Sequence, residues 1–303
     1  MTQRGAPGAP GTSAAAGASG ASGAALEAAL ATLANQRFGR LRGRYALALA
    51  VPAARLLRAA DVPFPAASVV KLPLLVLALQ AAERHDLDLN QRVPLGEGPR
   101  AGGSGVLQDL DPGIAPTWRD LLRLMIVLSD NHATNLVLER VGLERLNAAL
   151  PQLGMPHTRL EGPLQVEAAQ QTPRQRAGHV ATTTASDVLA LLLALDDEGL
   201  LGPQATAWAR ACLRAQRYRE AIPRLLTGEA SGAEGLTVGS KGGWLTRARH
   251  DAGLVWRDDG RRLAALVVLT ADHPDARSQL DHPATLATAR FARDVVALVR
   301  ATA

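Results

Sequence analysis

Residues Ser68–Arg84 read SVVKLPLLVLALQAAER, an apolar run in which Lys71 is the only charge before Glu83. The run predicts a long apolar helix opening on Ser68. Pro73 removes a backbone donor and is expected to bend that helix near its second turn. The lysine is as informative as the apolar residues around it. Of the 33 basic residues, only Lys71 and Lys241 are lysines; all others are arginines. Arginine holds its proton at any accessible pH, whereas a lysine amine can be tuned into a base.

Upstream, Ala24–Arg37 has helical spacing, with Leu26, Leu30 and Leu33 on one face, and Arg44–Val51 and Arg55–Ala59 read as a strand pair. Downstream, residues 94–116 form a Gly/Pro-rich connection, and Thr117-Trp118-Arg119-Asp120 resembles a capping box that starts a helix through Leu128. Helices are expected at about 131–141, 143–150, 184–196, 203–215 and 284–301, and strands at Thr237–Lys241, His250–Trp256 and Arg262–Ala271. Residues 156–182 are irregular and too long for an ordinary connector, which marks a functional loop. Strands at both ends with helices between predict an α+β fold: one antiparallel sheet flanked by helices, built from both termini, beside an all-helical lobe. The sheet lobe is assigned to residues 24–62 and 205–303 and the helical lobe to 63–204. Residues 1–23, almost all Gly, Ala, Ser, Pro and Thr, are expected to be a disordered tail.

Net charge is +5, but the arginines are scattered and form no block, so a solvated surface is expected and no nucleic-acid partner. No apolar run is long enough for a membrane span. Cys212, the single cysteine, has no metal-ligand spacing around it. No metal site and no cofactor are expected. The first leucine is Leu26, so a signal-peptide core is missing and the chain as written reads as cytoplasmic.

Three short motifs carry chemistry. Ser68 and Lys71 are three apart at a helix start, so they share a face, and the helix dipole stabilises negative charge at the serine. A neutral Lys71 can take the hydroxyl proton, a Ser-Lys version of an activated nucleophile. In Ser129-Asp130-Asn131, the hydroxyl can pass a proton to a leaving nitrogen, the buried Asp ties the loop together, and the Asn amide can hold Lys71 and a substrate carbonyl. Taken alone, those residue types are an ordinary helix cap. In Lys241-Gly242-Gly243, glycine lets substrate approach the strand edge, the lysine offers charge to a carboxylate, and the Trp244 N–H is a second oxyanion donor.

In this order the three motifs resemble the penicillin-recognising serine enzymes, and the Ser-Asp-Asn form resembles class A β-lactamases. Gly102–Leu107, Leu121–Asn135, Leu153–Leu160 and His250–Gly253 extend the resemblance over residues 24–302. It implies a five-stranded antiparallel sheet of the β-lactamase/transpeptidase type, with the site between sheet and helical lobe. It also implies a β-lactam or peptidoglycan-like acyl substrate, an acyl-enzyme on Ser68, a role in antibiotic resistance, a monomer, and a periplasmic or secreted setting. Catalytic candidates are Ser68, Lys71, Ser129 and Glu167; substrate-binding candidates are Asn131, Lys241, Gly243 and Trp244.

The chain departs from the family pattern twice. The loop position expected to hold the deacylating Glu carries Leu164, leaving Glu167 as the substitute base if the loop is reshaped. Glu161 is read as a structural acid beside Arg159. Gly242 stands where the family has Thr or Ser, and Arg247 or Arg249 is expected to compensate. His250 and Asp251 point to opposite faces of a strand, which argues against a Ser-His-Asp triad. Slow deacylation is therefore expected. A D-Ala-D-Ala peptidase or esterase on the same scaffold, or a penicillin-binding protein without turnover, are the alternatives.

Overall fold

The computed structural model describes residues 13–226, 235–276 and 280–302, with side chains from residue 23 onward. Helix α1 (Ser13–Phe38) leads into strands β1 (Arg44–Val51) and β2 (Ala54–Arg58). The two-residue strand β3 (Phe64–Pro65) and a 3-10 turn (Ala67–Val70) precede helix α2 (Lys71–Glu83). Then follow α3 (Trp118–Val127), α4 (Asn131–Val141), α5 (Leu143–Ala149), α6 (Pro173–Arg176), β4 (Thr182–Thr183), α7 (Ala185–Asp196) and α8 (Pro203–Arg214). The chain closes with β5 (Leu236–Leu245), β6 (Ala248–Arg257), β7 (Arg262–Ala271) and α9 (Pro283–Thr302). The sheet order is β2-β1-β7-β6-β5, antiparallel throughout, and β3 pairs with β4 separately. Both termini thus supply the sheet, as the strand pattern predicts.

The period of two along β1 divides the core. Ala46, Ala48 and Ala50 face the helices of the middle segment, and Leu47, Leu49 and Val51 face α1 and α9. Small residues on one face let α7 lie close, while leucines on the other fill the gap beneath the two terminal helices. One continuous cluster joins the inner face of the sheet to α2, α3, α4 and α7, so the two lobes share a core. Helix α2 is its centre: Lys71–Leu79 are all buried. A helix apolar on every side needs neighbours on every side.

Several local details differ from the sequence reading. The helix proper opens at Lys71, so Pro73 sits in its first turn, where backbone N–H groups have no intrahelical acceptor, and no donor is lost. Strand β5 runs on to Leu245, past the Lys-Gly-Gly motif, because β6 pairs with it residue for residue. The first twelve residues of the expected tail lie outside the described residues; the backbone of α1 begins at Ser13, an alanine-rich continuation compatible with helix. The Thr117–Asp120 capping box is present, each side chain bonding the other residue's N–H.

A buried charge cluster fastens α7 to the far ends of β6 and β7. Asp196 accepts from the Trp256 indole at 2.9 Å and pairs with Arg262 at 2.5 Å and Arg210 at 2.7 Å. Removing the buried carboxylate leaves the Trp256 indole without its acceptor and costs Arg210 and Arg262 one charged partner, although Arg262 keeps Asp197. Asp196→Ala should therefore cost about 1–3 kcal/mol of unfolding free energy, read by urea denaturation; a loss below about 0.5 kcal/mol would contradict this account.

Candidate active site

Ser68 is presented by a short, tightly held approach. Pairing of Phe64 and Pro65 with β4, and the bond from Ala66 N–H to the Ala181 carbonyl, fix the chain before the turn. His250 fixes it from below. Its Nδ1 accepts from the Thr270 N–H at 3.1 Å, so Nε2 carries the proton and donates to the Pro65 carbonyl at 2.7 Å. Burial keeps this imidazole neutral, pushing its pKa down to about 4. Ala67 then takes a left-handed conformation (φ 44°), which costs energy for a residue with a Cβ and turns Ser68 toward the cleft. Ser68 lies in the 3-10 turn, three residues before α2 rather than on its first turn.

Strand β5 passes so close that only glycine fits at 243: a Cβ there would sit 2.8 Å from the Ser68 nitrogen and 3.1 Å from the Ala67 Cβ. The Ser68 amide and the strand edge leading to Trp244 are thereby brought together.

Both lysines are fully buried, and Ser129 lies between them. The Lys71 amine reaches the Ser129 carbonyl at 2.6 Å, the Ser129 Oγ at 3.1 Å and the Asn131 Oδ1 at 2.7 Å. Lys241 reaches the same Ser129 Oγ at 3.0 Å and the Gly242 carbonyl at 2.6 Å. Burial, and then the charge of Lys241, hold the pKa of Lys71 well below that of a free lysine, against the opposing pull of Asp130. Burial brings Lys241 down to about 7, with Asp251 and Glu220 opposing. A neutral Lys71 has two N–H bonds, enough for the Ser129 carbonyl and the Asn131 Oδ1, and one lone pair.

Ser129 is itself left-handed (φ 53°) and is held so by its neighbours. Asp130 accepts from the N–H groups of Val106, Leu107 and Ala133, tying the 102–107 loop to the start of α4. Gly105 must be glycine, since a Cβ would fall 2.3 Å from the Asp130 carboxylate.

The cleft beside Ser68 has a volume of about 600 Å³ and is lined by Ser104, Asn131, Leu164, Val180, Trp244 and Leu245, among others. Among the described residues that line it, the only acidic one is Glu161. That carboxylate is bound by Arg174 at 2.5 Å and Arg159 at 3.3 Å, and the hydrogen bond from Arg174 lowers its pKa first of all. The structural role read for Glu161 holds, with Arg174 as the stronger partner.

Leu164 does face the cleft, pinned by Asn135, whose side chain bonds both its N–H (2.8 Å) and its carbonyl (2.9 Å). Glu167 does not. The chain turns at Gln165 (φ 50°), and Glu167 is exposed at the head of a 3-10 turn, outside the cleft lining. Contrary to the expectation from sequence, its carboxylate therefore does not stand in the cleft beside Ser68 as a base for water.

At position 242 a Cβ would meet nothing closer than 3.7 Å, so glycine there is not sterically imposed. Neither arginine expected to compensate lines the cleft. Arg249 turns to the Leu245 and Ala248 carbonyls, and Arg247 donates to the His273 carbonyl. The Trp244 indole packs edge-on against Tyr218, with ring centroids 4.7 Å apart. Of the residues singled out in the sequence, Lys71, Ser129, Asn131 and Lys241 meet in one hydrogen-bonded cluster, Ser68, Asn131 and Trp244 line the cleft, and Gly243 lies against the Ser68 amide. Sequence reading missed the roles of His250, Asn135 and Ser104, which act through tertiary hydrogen bonds that no local spacing encodes.

A family model described as the β-lactamase enzyme family (Beta-lactamase2) matches residues 25–299. The chain belongs to the β-lactamase family. No curated protein matches it in sequence. Among solved structures, a β-lactamase from Sphaerobacter thermophilus is 27% identical over 91% of this chain and 97% of its own, with a TM-score of 0.77. An ancestral class A β-lactamase is 23% identical, covering 90% and 99%, with a TM-score of 0.71. A leucine-to-glutamate mutant of PBP-A, solved as an acyl-enzyme with penicillin G, is 22% identical, covering 89% and 94%, also at 0.71. The last two likenesses speak for the fold alone. The β-lactamase fold here is the five-stranded antiparallel sheet with flanking helices described above.

The buried His250 beneath Pro65 contributes stability that depends on pH. An unfolded histidine titrates near 6.5 and the folded one at about 4, so the unfolded chain binds the extra proton first. The stability from His250 is lost as pH falls through that window, up to about 3 kcal/mol. Asp251, raised by burial to about 6, has the opposite sign and partly hides the effect. The stability advantage of the native chain over His250→Gln should therefore shrink between pH 7 and pH 4, read by denaturation at each pH; a constant difference would rule out the neutral strut.

Proposed function

We propose that this chain is a serine hydrolase of the class A β-lactamase type that opens the β-lactam amide through an acyl-Ser68 intermediate and releases the acyl group slowly. The observation that carries the reading is the buried chain Lys71–Ser129–Lys241, in which one hydroxyl lies 3.1 and 3.0 Å from two amines. In acylation, the Ser68 Oγ proton passes to the lone pair of Lys71 while Oγ bonds to the substrate carbonyl carbon. The oxyanion is taken by the N–H groups of Ser68 and Trp244. As the C–N bond breaks, the leaving nitrogen takes the Ser129 hydroxyl proton, and Ser129 recovers one from the Lys71 ammonium. Lys71 ends neutral, the amine protonated and the acyl group on Ser68. Lys241, 3.0 Å from the Ser129 hydroxyl, favours this transfer and is the charge assigned here to the substrate carboxylate.

Hydrolysis of the ester needs a base for water. Among the described residues that line the cleft, only Glu161 is a carboxylate, and two arginines occupy it. Leu164 fills the wall where a base would stand. This favours a second reading, a penicillin-binding protein or a D-Ala-D-Ala peptidase or esterase on the same scaffold. The penicillin G acyl-enzyme of PBP-A, obtained with a leucine changed to glutamate, is consistent with either.

Mixing the protein with benzylpenicillin should give a persistent mass adduct on Ser68, absent in Ser68→Ala; turnover retained in that variant would reject the nucleophile. Leu164→Glu should shorten the adduct's lifetime at least about tenfold, since a positioned general base contributes about 10²–10⁴. An unchanged lifetime would refute the role given to position 164. Nitrocefin set against simple esters and D-Ala-D-Ala peptides separates the two readings.

A further inference from the structure

Ser104 lines the cleft on the loop facing the Ser129 turn, and its hydroxyl has a partner that bears on Lys71. Ser104 Oγ donates to the Ser129 carbonyl at 2.7 Å. The Lys71 amine donates to the same carbonyl at 2.6 Å. The Ser104 carbonyl in turn accepts from the Asn131 N–H at 3.0 Å, and the Asn131 side chain donates to the Gly102 carbonyl at 2.8 Å while accepting from Lys71. The 102–104 loop is therefore bonded directly to one oxygen on which Lys71 rests, the Ser129 carbonyl, and through the Asn131 N–H groups to the residue that supplies another.

We propose that Ser104 is a positioning residue that competes with Lys71 for the Ser129 carbonyl and so keeps the lysine available as the proton acceptor for Ser68. The proposal rests on the acyl-serine reading above. A carbonyl already bonded to a hydroxyl is a weaker acceptor for a third party, and an ammonium, with three N–H groups to satisfy, loses more by this than a neutral amine with two. The charged groups facing Lys71 are Lys241 from β5, which disfavours the ammonium, and Asp130 before α4, which favours it. Ser104 adds to the first side without carrying charge. It also fixes the left-handed Ser129, whose hydroxyl must stay between the two amines.

Only two lysines exist in the chain, so a protein labelled with ε-¹³C-lysine gives two lysine resonances, assigned with Lys241→Arg. Ser104→Ala should move the Lys71 titration upward by about 0.5–1 pH unit. The acidic limb of the benzylpenicillin acylation rate should move with it, lowering the rate near pH 6 about three- to tenfold and leaving the alkaline plateau within threefold. Ser104→Thr, which keeps the donor, should restore both. A Lys71 titration unmoved in a folded Ser104→Ala protein overturns the proposal, whatever happens to the rate or the melting temperature. The resonance needs no turnover. A native chain that is never acylated would therefore defeat the functional reading while leaving the Lys71 shift to be judged separately.

Discussion

Two amines buried within hydrogen-bond reach of one hydroxyl impose a condition that the rest of the structure has to meet. Desolvation disfavours an ammonium, and a second one nearby disfavours it further, so at least one amine is pressed toward neutrality. The fold sustains this by supplying oxygens at fixed places: the Ser129 carbonyl, the Asn131 amide and the Gly242 carbonyl. They come from the turn before α4, the first residue of α4 and strand β5. Asp130 carries no contact to the nucleophile, yet its three backbone bonds decide where the Ser129 oxygens stand.

The same logic explains the shape of the core. Lys71 can be desolvated only if the helix that bears it is surrounded, and α2 is apolar on all sides for that reason. Surrounding it requires the sheet face of small alanines, the helices α3, α4 and α7, and the 3-10 turn that lifts Ser68 out of the packing. The strained conformations at Ala67 and Ser129 flank the site and are held by hydrogen bonds from β4, β6 and the 102–107 loop. Strain at these two residues is thus offset by tertiary contacts rather than by local sequence.

That division decides what the sequence could reveal. The three motifs were legible because each is a local spacing with its own chemistry, and the sheet was legible because the strands have clear flanks and a period of two. The fate of the 156–182 loop was not. Glu167 and Leu164 are three residues apart, and which one faces the cleft depends on Asn135 reaching across from α4 to hold the backbone of Leu164. His250 looked like a sheet-face residue and is one, but its task follows from a proline carbonyl 185 positions away. Pro73 was misread because the first turn of α2 begins three residues later than the apolar run.

The exclusion of lysine from the surface has a chemical meaning of its own. Strained lactams and active esters acylate exposed primary amines without any catalyst, and a protein studded with lysines acquires such adducts at random. Here both lysine amines are inaccessible, and the surface basic groups are guanidinium ions, which stay protonated and do not act as nucleophiles. The side chains thereby channel an electrophile toward one hydroxyl. A charged exterior is kept without a lysine amine that could compete for such a reagent.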